Sequence, residues 1–277
     1  MANISLSNPR KEAASRAPFL KWPGGKRKLV RHILPLLPTK YNRYYEPFLG
    51  SAALFFALRP PLASLSDKNC DLVSVYNQVR NDPQTVMDYL RRLTNSEKSY
   101  YLVRSTIPTS EAERAARLIY LSTLSFNGIH RVNLKGKFNV PYGYKTHLTP
   151  CVPEKINTAS ELLRKATIKW QDFEDAVKRA RRGDLLYLDP PYTVAHGNNG
   201  FLKYNAKIFS WDDQTRLAKV AHALANKGCS VFVSNANHPS IRKMYQDFQV
   251  LEIKRHSVIA ASSEFRRAIT ECVFYNQ

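Results

Sequence analysis

Residues with the types and order needed for chemistry cluster at Leu185-Leu186-Tyr187-Leu188-Asp189-Pro190-Pro191-Tyr192. Four apolar residues predict a strand that delivers an acid to its carboxyl end, where open α/β sheets bind ligands. The two prolines forbid continuation as strand or helix and fix the loop. An aromatic follows. This arrangement suits chemistry on the exocyclic amine of a nucleobase, whose nitrogen lone pair is delocalised into the ring. Asp189 and the Pro190 carbonyl would accept the two amino hydrogens and favour a more tetrahedral nitrogen. Tyr192 would stack on a base swung out of its helix. A strand ending in a Pro-rich turn, with Asp189 capping the next helix, is the plainer alternative.

Two further segments carry ligand-binding geometry. Tyr44-Tyr45-Glu46-Pro47-Phe48-Leu49-Gly50-Ser51-Ala52 reads as strand, tight turn and helix start, the form of a first nucleotide-binding βα unit. Asp67 follows at the end of the next predicted strand, close to where a ribose-binding acid belongs. Phe19-Leu20-Lys21-Trp22-Pro23-Gly24-Gly25-Lys26 places two glycines ahead of a helix, where backbone can approach a ligand closely. It lacks P-loop spacing, which excludes a nucleoside triphosphatase of that kind.

The elements that must position these groups alternate short apolar runs with helical patterns, the signature of an α/β sheet. Strands are predicted at Arg43–Glu46, Leu62–Ser66, Ala166–Trp170, Leu185–Leu188, Cys229–Ser234, Val250–Ile253 and Thr270–Tyr275. Asp82-Pro83 predicts a capped helix with Val86, Leu90 and Leu93 on one face. Ser210 with Asp213 predicts a capping box ahead of a Leu217, Val220, Ala221 and Leu224 stripe, closed by Gly228. Between Cys70 and about Pro153 the strand alternation stops. That stretch reads as helical and then as a hairpin, Arg131–Asn133 against Lys137–Val140, with Lys135-Gly136 near its tip. The simplest organisation is an α/β sheet interrupted by a helical insertion, behind a mobile N-terminal arm.

Composition limits the partners. The chain has 277 residues, 44% of them hydrophobic, and a formal net charge of +20. Basic residues recur at Lys26-Arg27-Lys28, Arg131-Lys135-Lys137, Lys178-Arg179-Arg181-Arg182 and Arg266-Arg267, so a polyanionic partner is expected, nucleic acid foremost. Cys70, Cys151, Cys229 and Cys272 form neither a disulfide framework nor zinc spacing. No run reaches membrane-helix length, and the N-terminus lacks a secretory signal, so a soluble cytosolic protein is expected.

Taken in order, these segments resemble the Dam-type family (D12 class, alpha group) of DNA adenine-N6 methyltransferases. Lys21–Lys26 matches its N-terminal motif, Glu46–Gly50 its cofactor loop and Asp189–Tyr192 its catalytic tetrapeptide. A fourth block, Phe126-Asn127-Gly128-Ile129-His130-Arg131-Val132-Asn133 then Phe138-Asn139-Val140-Pro141-Tyr142-Gly143, matches the hairpin that enters the target site. The resemblance spans about Phe19 to Tyr275. It implies a Rossmann-like methyltransferase sheet at 19–69 and 154–277, after an arm at 1–18. A helical target-recognition insertion would occupy 70–153, its hairpin at about 131–144. It implies S-adenosylmethionine as methyl donor and adenine N6 in duplex DNA as acceptor. Trp22, Lys26, Glu46, Phe48, Gly50, Asp67, Asp172, Phe173 and Asp189 would contact the donor. Lys21, Asn127, Ile129, Arg131, Asn133, Lys137, Pro141 and Tyr144 would contact DNA, and no metal is implied. A cytoplasmic enzyme of a bacterial or phage-infected cell follows, with or without a restriction endonuclease as partner. Ser51-Ala52 stands where relatives carry a further small glycine-rich step. Gly143 is followed directly by Tyr144, where enzymes methylating GATC often carry Arg, so the recognition sequence stays open. The alternatives are a cytosine-N4 or RNA amino-methyltransferase, or a DNA-binding module with a decayed cofactor site.

Overall fold

The structure, a computed structural model, describes residues 17–133, 135–193, 209–256 and 268–276. The arm at 1–18 lies almost wholly outside them, as do Leu134 and Arg266-Arg267. The chain divides into two compact units, one of residues 1–30, 50–59 and 69–168, the other of 31–49, 60–68 and 169–277.

All seven predicted strands form, and they make one sheet. They are β1 (Tyr44–Glu46), β2 (Ala63–Asp67), β3 (Ala166–Trp170), β4 (Leu185–Leu188), β5 (Ser230–Ala236), β6 (Gln249–His256) and β7 (Ala268–Tyr275), in the order β3-β2-β1-β4-β5-β7-β6. Strand β1 pairs in parallel with β2 and β4, and β4 with β5. Strand β7 enters antiparallel between β5 and β6. Chain order reverses beside β1, where β2 lies on one side and β4 on the other. A crevice at the carboxyl ends of strands is expected at such a switch point.

Strand β4 is buried along its whole length, which explains its unbroken apolar run. In the same unit, β4 and β5 pack Leu186, Leu188, Val231 and Val233 into a core with Leu217, Ala221 and Leu224. Those leucines and alanine form one stripe of α9 (Trp211–Asn226), which begins with the predicted Ser210–Asp213 capping box. Val220 packs at the edge of this core and Ala218 inside it.

The other unit is helical. It holds α1 (Arg27–Ile33) as far as Val30, then α2 (Ala53–Leu58), α3 (Cys70–Asn81), α4 (Pro83–Arg91), α5 (Glu97–Ser105), α6 (Glu111–Leu124) and α7 (Pro153–Leu163). Asn69, Asp82, Ser96 and Ser110 each accept a backbone N–H at the start of a helix, which sets the boundaries of α3 to α6. Buried tyrosines donate their hydroxyls to backbone carbonyls: Tyr76 to Gly50, Tyr100 to Val140 and Tyr120 to Thr94. The ring of Phe19 packs edge-on against Phe56 and Tyr76. These contacts join residues 17–30 and 50–59 to the helical stretch. Two short helices of the sheet-bearing unit, α8 (Phe173–Val177) and α10 (Pro239–Met244), complete the described α-helices.

Candidate functional site

In the sheet-bearing unit, three acids stand at the carboxyl ends of neighbouring parallel strands. Glu46 closes β1, Asp67 closes β2 and Asp189 follows β4. Glu46 is 2% exposed and accepts the Tyr44 hydroxyl at 2.9 Å. Tyr44 is itself buried, and burial together with Glu46 holds its pKa well above the ordinary value. Beneath Asp189, Tyr187 shares a hydrogen with Ser234 at 2.7 Å. Burial, then the Asp189 charge, likewise pushes its pKa far up. Both phenols therefore stay protonated and act as fixed dipoles under the acids.

An aromatic cluster lies in the same unit. Phe48, two residues beyond β1, stacks on Phe173 at 5.4 Å and meets Phe209 edge-on at 5.5 Å. Asp172, which precedes Phe173, caps α8 and is gripped by both terminal nitrogens of Arg216 at 3.0 Å. The Arg216 guanidinium also covers the Phe173 ring at 4.3 Å. Arg216 went unnoticed in the sequence because only the fold brings α9 to the start of α8. The Asp189–Tyr192 loop is tied down by Gln214, whose side-chain amide donates to the Pro191 carbonyl at 3.1 Å. Just beyond it, Thr193 donates to the Phe209 carbonyl at 2.7 Å. Asp189 and Tyr192 are both half-buried, and Pro190 between them is buried.

The helical unit holds the remaining candidates. Gly25 N–H donates to the Trp22 carbonyl, and a Cβ at Gly25 would sit 3.2 Å from that carbonyl and 3.3 Å from Ser51 Oγ. A side chain at Gly25 would crowd the Trp22 carbonyl and Ser51, so glycine suits the close approach of this turn to Ser51. Lys26 is 6% exposed and immediately precedes α1, its carbonyl accepting from Leu29 and Val30. In place of the glycine-rich step, Ala52 adopts left-handed backbone at φ 52°.

The predicted hairpin is present as short arms rather than continuous strands, bridged at Val132–Phe138 and Ser125–Tyr142. Arg131 Nε donates to Asn139 Oδ1 at 2.9 Å across it. The Asn133 side chain accepts the N–H groups of Lys135 and Lys137, which shapes the tip. Asn127, Arg131, Asn133, Lys137 and Pro141 are exposed, and Ile129 is half-buried. Tyr144 is 64% exposed and donates to Glu97. The hairpin closes at Gly143, where a Cβ would meet the Ser125 carbonyl at 2.7 Å, so no larger residue fits without movement.

Lys21 lines a cavity of about 410 Å³ with Trp22, Arg27, Asn127, His147 and Lys155. Its ammonium donates to the Thr123 carbonyl. Burial first, then Lys145, Lys155 and Arg27, lower its pKa, as expected of a basic cavity suited to an anion. His130 of the Phe126–Asn133 block stacks on Trp22 with ring centroids 4.5 Å apart. Among the described residues, no group of three or more His, Cys, Asp or Glu could hold a metal ion, and no helix is long and apolar enough to cross a membrane.

Comparisons with known proteins identify the family. A family model for the D12 class N6 adenine-specific DNA methyltransferases matches residues 22–259. The chain is 39% identical to the type II methyltransferase M1.LlaDCHI of Lactococcus lactis subsp. cremoris, over 96% of this chain and 98% of that one. It is 31% identical to the type II methyltransferase M.MjaIII of Methanocaldococcus jannaschii, covering 90% and 95%. It is also 31% identical to a DNA adenine methylase of Vibrio cholerae serotype O1, covering 91% and 93%. The chain belongs to the D12 class of N6 adenine-specific DNA methyltransferases, enzymes that methylate adenine at specific sites in DNA.

Proposed function

We propose that the methyl donor is S-adenosylmethionine and that Asp189-Pro190-Pro191-Tyr192 forms the site of transfer to a flipped-out adenine. The observation that carries this reading is the row of acids at the switch point, with Asp189 raised on a rigid two-proline loop. Carboxylates suit a donor that carries a sulfonium charge, an ammonium and ribose hydroxyls, and the half-buried Phe48, backed by Phe173, offers a face for a purine. The donor supplies an already activated methyl group. The protein then has to align the amine and handle its protons.

Asp189 accepts one amino hydrogen of adenine and the Pro190 carbonyl the other, which turns the nitrogen lone pair towards the methyl group. Tyr192 stacks on the extruded base. Glu46, Phe48, Asp67, Asp172 and Phe173 are assigned to the donor on this geometry, and Trp22, Lys26 and Gly50 on the family resemblance. Residues 70–153 are assigned to reading DNA, with Asn127, Ile129, Arg131, Asn133, Lys137, Pro141 and Tyr144 as contacts, and Lys21 from the N-terminal motif is assigned to DNA as well. Residues 19–69 and 154–277 are assigned to methyl transfer, in the cytoplasm. Two relatives carry type II methyltransferase names. A restriction endonuclease is therefore the protein partner to test, by protection of methylated DNA from digestion.

Transfer of labelled methyl from S-adenosylmethionine to duplex oligonucleotides, followed by identification of the modified base, tests the reading. Asp189→Ala should fold and bind donor but lose about two orders of magnitude or more in transfer rate. A well-folded Asp189→Ala enzyme with near wild-type turnover would remove Asp189 from the mechanism.

A further inference from the structure

Two amides with no solvent exposure, Gln214 and Asn235, form a chain that ends on the proposed catalytic loop. The Ala236 N–H donates to Asn235 Oδ1 at 2.8 Å. Asn235 Nδ2 donates to Gln214 Oε1 at 3.0 Å, and Gln214 Nε2 donates to the Pro191 carbonyl at 3.1 Å. Both side chains are 0% exposed. We propose that Gln214 and Asn235 are positioning residues for methyl transfer, a one-way hydrogen-bond relay that fixes the Pro191 carbonyl and thereby the aim of Asp189 and the Pro190 carbonyl. This inference rests on the reading of Asp189–Tyr192 as the transfer site.

The direction of the relay is set by its ends. The Pro191 carbonyl can only accept, so Gln214 must present its nitrogen there and its oxygen to Asn235. The Ala236 N–H can only donate, so Asn235 must present its oxygen there and its nitrogen to Gln214. Neither amide can flip without placing two donors or two acceptors face to face in a buried site.

The loop needs an anchor of this kind. Pro190 and Pro191 have no N–H, so this stretch can be held by hydrogen bonds only through its carbonyls. The relay starts from the end of β5, and β5 pairs with β4 in register up to Leu188–Val233. The strand that presents Asp189 and the strand that starts the relay are thus neighbours, and α9 closes the circuit through Gln214. A shift of the loop would stretch the bond to Pro191 and leave buried polar groups unmatched.

Gln214→Met keeps the length of the side chain and removes the donor. Gln214→Glu keeps the shape: its ionised form cannot donate to Pro191, but its protonated form can. Both are assayed for single-turnover methylation at saturating S-adenosylmethionine and duplex DNA, together with both dissociation constants and thermal stability. Gln214→Met should slow transfer about 10- to 100-fold, the scale of a small misplacement of reacting groups. Both dissociation constants should stay within about threefold, the signature of an interaction felt in the transfer step. The rate of Gln214→Glu relative to wild type should rise as the pH is lowered from about 8 to about 6, because a buried carboxyl protonates in that range.

Wild-type transfer rates in both variants would overturn the relay. So would rates that fall only in step with the folded fraction, with a Gln214→Glu ratio flat in pH, because that describes a purely structural glutamine. An active Asp189→Ala enzyme would instead overturn the assignment of the loop. Inactive Asp189→Ala with fully active Gln214 variants would sink the relay alone.

Discussion

Acid should destabilise the helical unit through one side chain. His130 stacks on Trp22 at 4.5 Å and meets Phe138 edge-on at 5.5 Å. Burial drives its pKa down to about 4, with a raising contribution from the Asp71 carboxylate and a lowering one from Arg117. In the unfolded chain the imidazole titrates near its ordinary value of about 6.5. The folded value is the lower one, so the unfolded chain takes up the proton first as pH falls. Stability carried by neutral His130 is intact above about pH 6.5 and is lost on the way down to about pH 4. The full loss is about 3 kcal/mol, and about 2 kcal/mol of it is gone by about pH 5. That is a substantial share of a total stability of roughly 5–15 kcal/mol. His130→Phe keeps a ring between Trp22 and Phe138 but cannot titrate. Urea unfolding at about pH 7.5 and about pH 5 should show the stability gap move by about 2 kcal/mol in favour of Phe. A proton NMR titration of the His130 ring should give a midpoint far below 6.5. Parallel loss of stability in both proteins, or a His130 midpoint near 6.5, would refute the reasoning.

Two substitutions in the proposed substrate contacts give separable outcomes. Tyr192→Ala should weaken capture of the extruded base by about 1–3 kcal/mol, while Tyr192→Phe should be much milder because stacking needs the ring. Equal damage from both, measured on duplexes carrying 2-aminopurine at the target, would assign the role to the hydroxyl. Arg131→Ala should cost about 1–3 kcal/mol on the cognate site and relax discrimination at one guanine. A uniform loss on cognate and altered sites, with a shallower salt dependence of binding, would reduce Arg131 to a phosphate contact.

The sequence made the sheet legible because its strands announce themselves locally. Leu185–Leu188 is apolar without a break, and the chain buries all four residues. The capping box at Ser210 and Asp213 is a local pattern too, and it forms as read. The β7 position, antiparallel between β5 and β6, was not legible, since neither strand's composition encodes its neighbour. The hairpin was legible as a place but not as strands. Asn133 spends its side chain on the tip, and the arms are held by two isolated bridges and the Arg131–Asn139 bond. The pairing of Asp172 with Arg216, which lies 44 residues further on and takes both of its oxygens, was not legible.

Gln214 shows which part of a site hides and why. It lies three residues before Leu217 and seven before Ala221, on the apolar stripe of α9 that packs towards the sheet. A leucine there would fit the periodicity better, so the amide is a local inconsistency of the kind that buried networks leave in a sequence. The inconsistency says that a partner must exist, because an unmatched buried amide is costly. It does not say where. Asn235 is 21 residues away and Pro191 is 23 residues away in the opposite direction. Neither distance follows from helix or strand period. Only the order β4-β5 brings the end of one strand beside the loop that follows the other. A motif such as Asp189-Pro190-Pro191-Tyr192 can be found by its spelling, whereas the groups that aim it are set by topology, and a glutamine in an apolar stripe is the mark they leave.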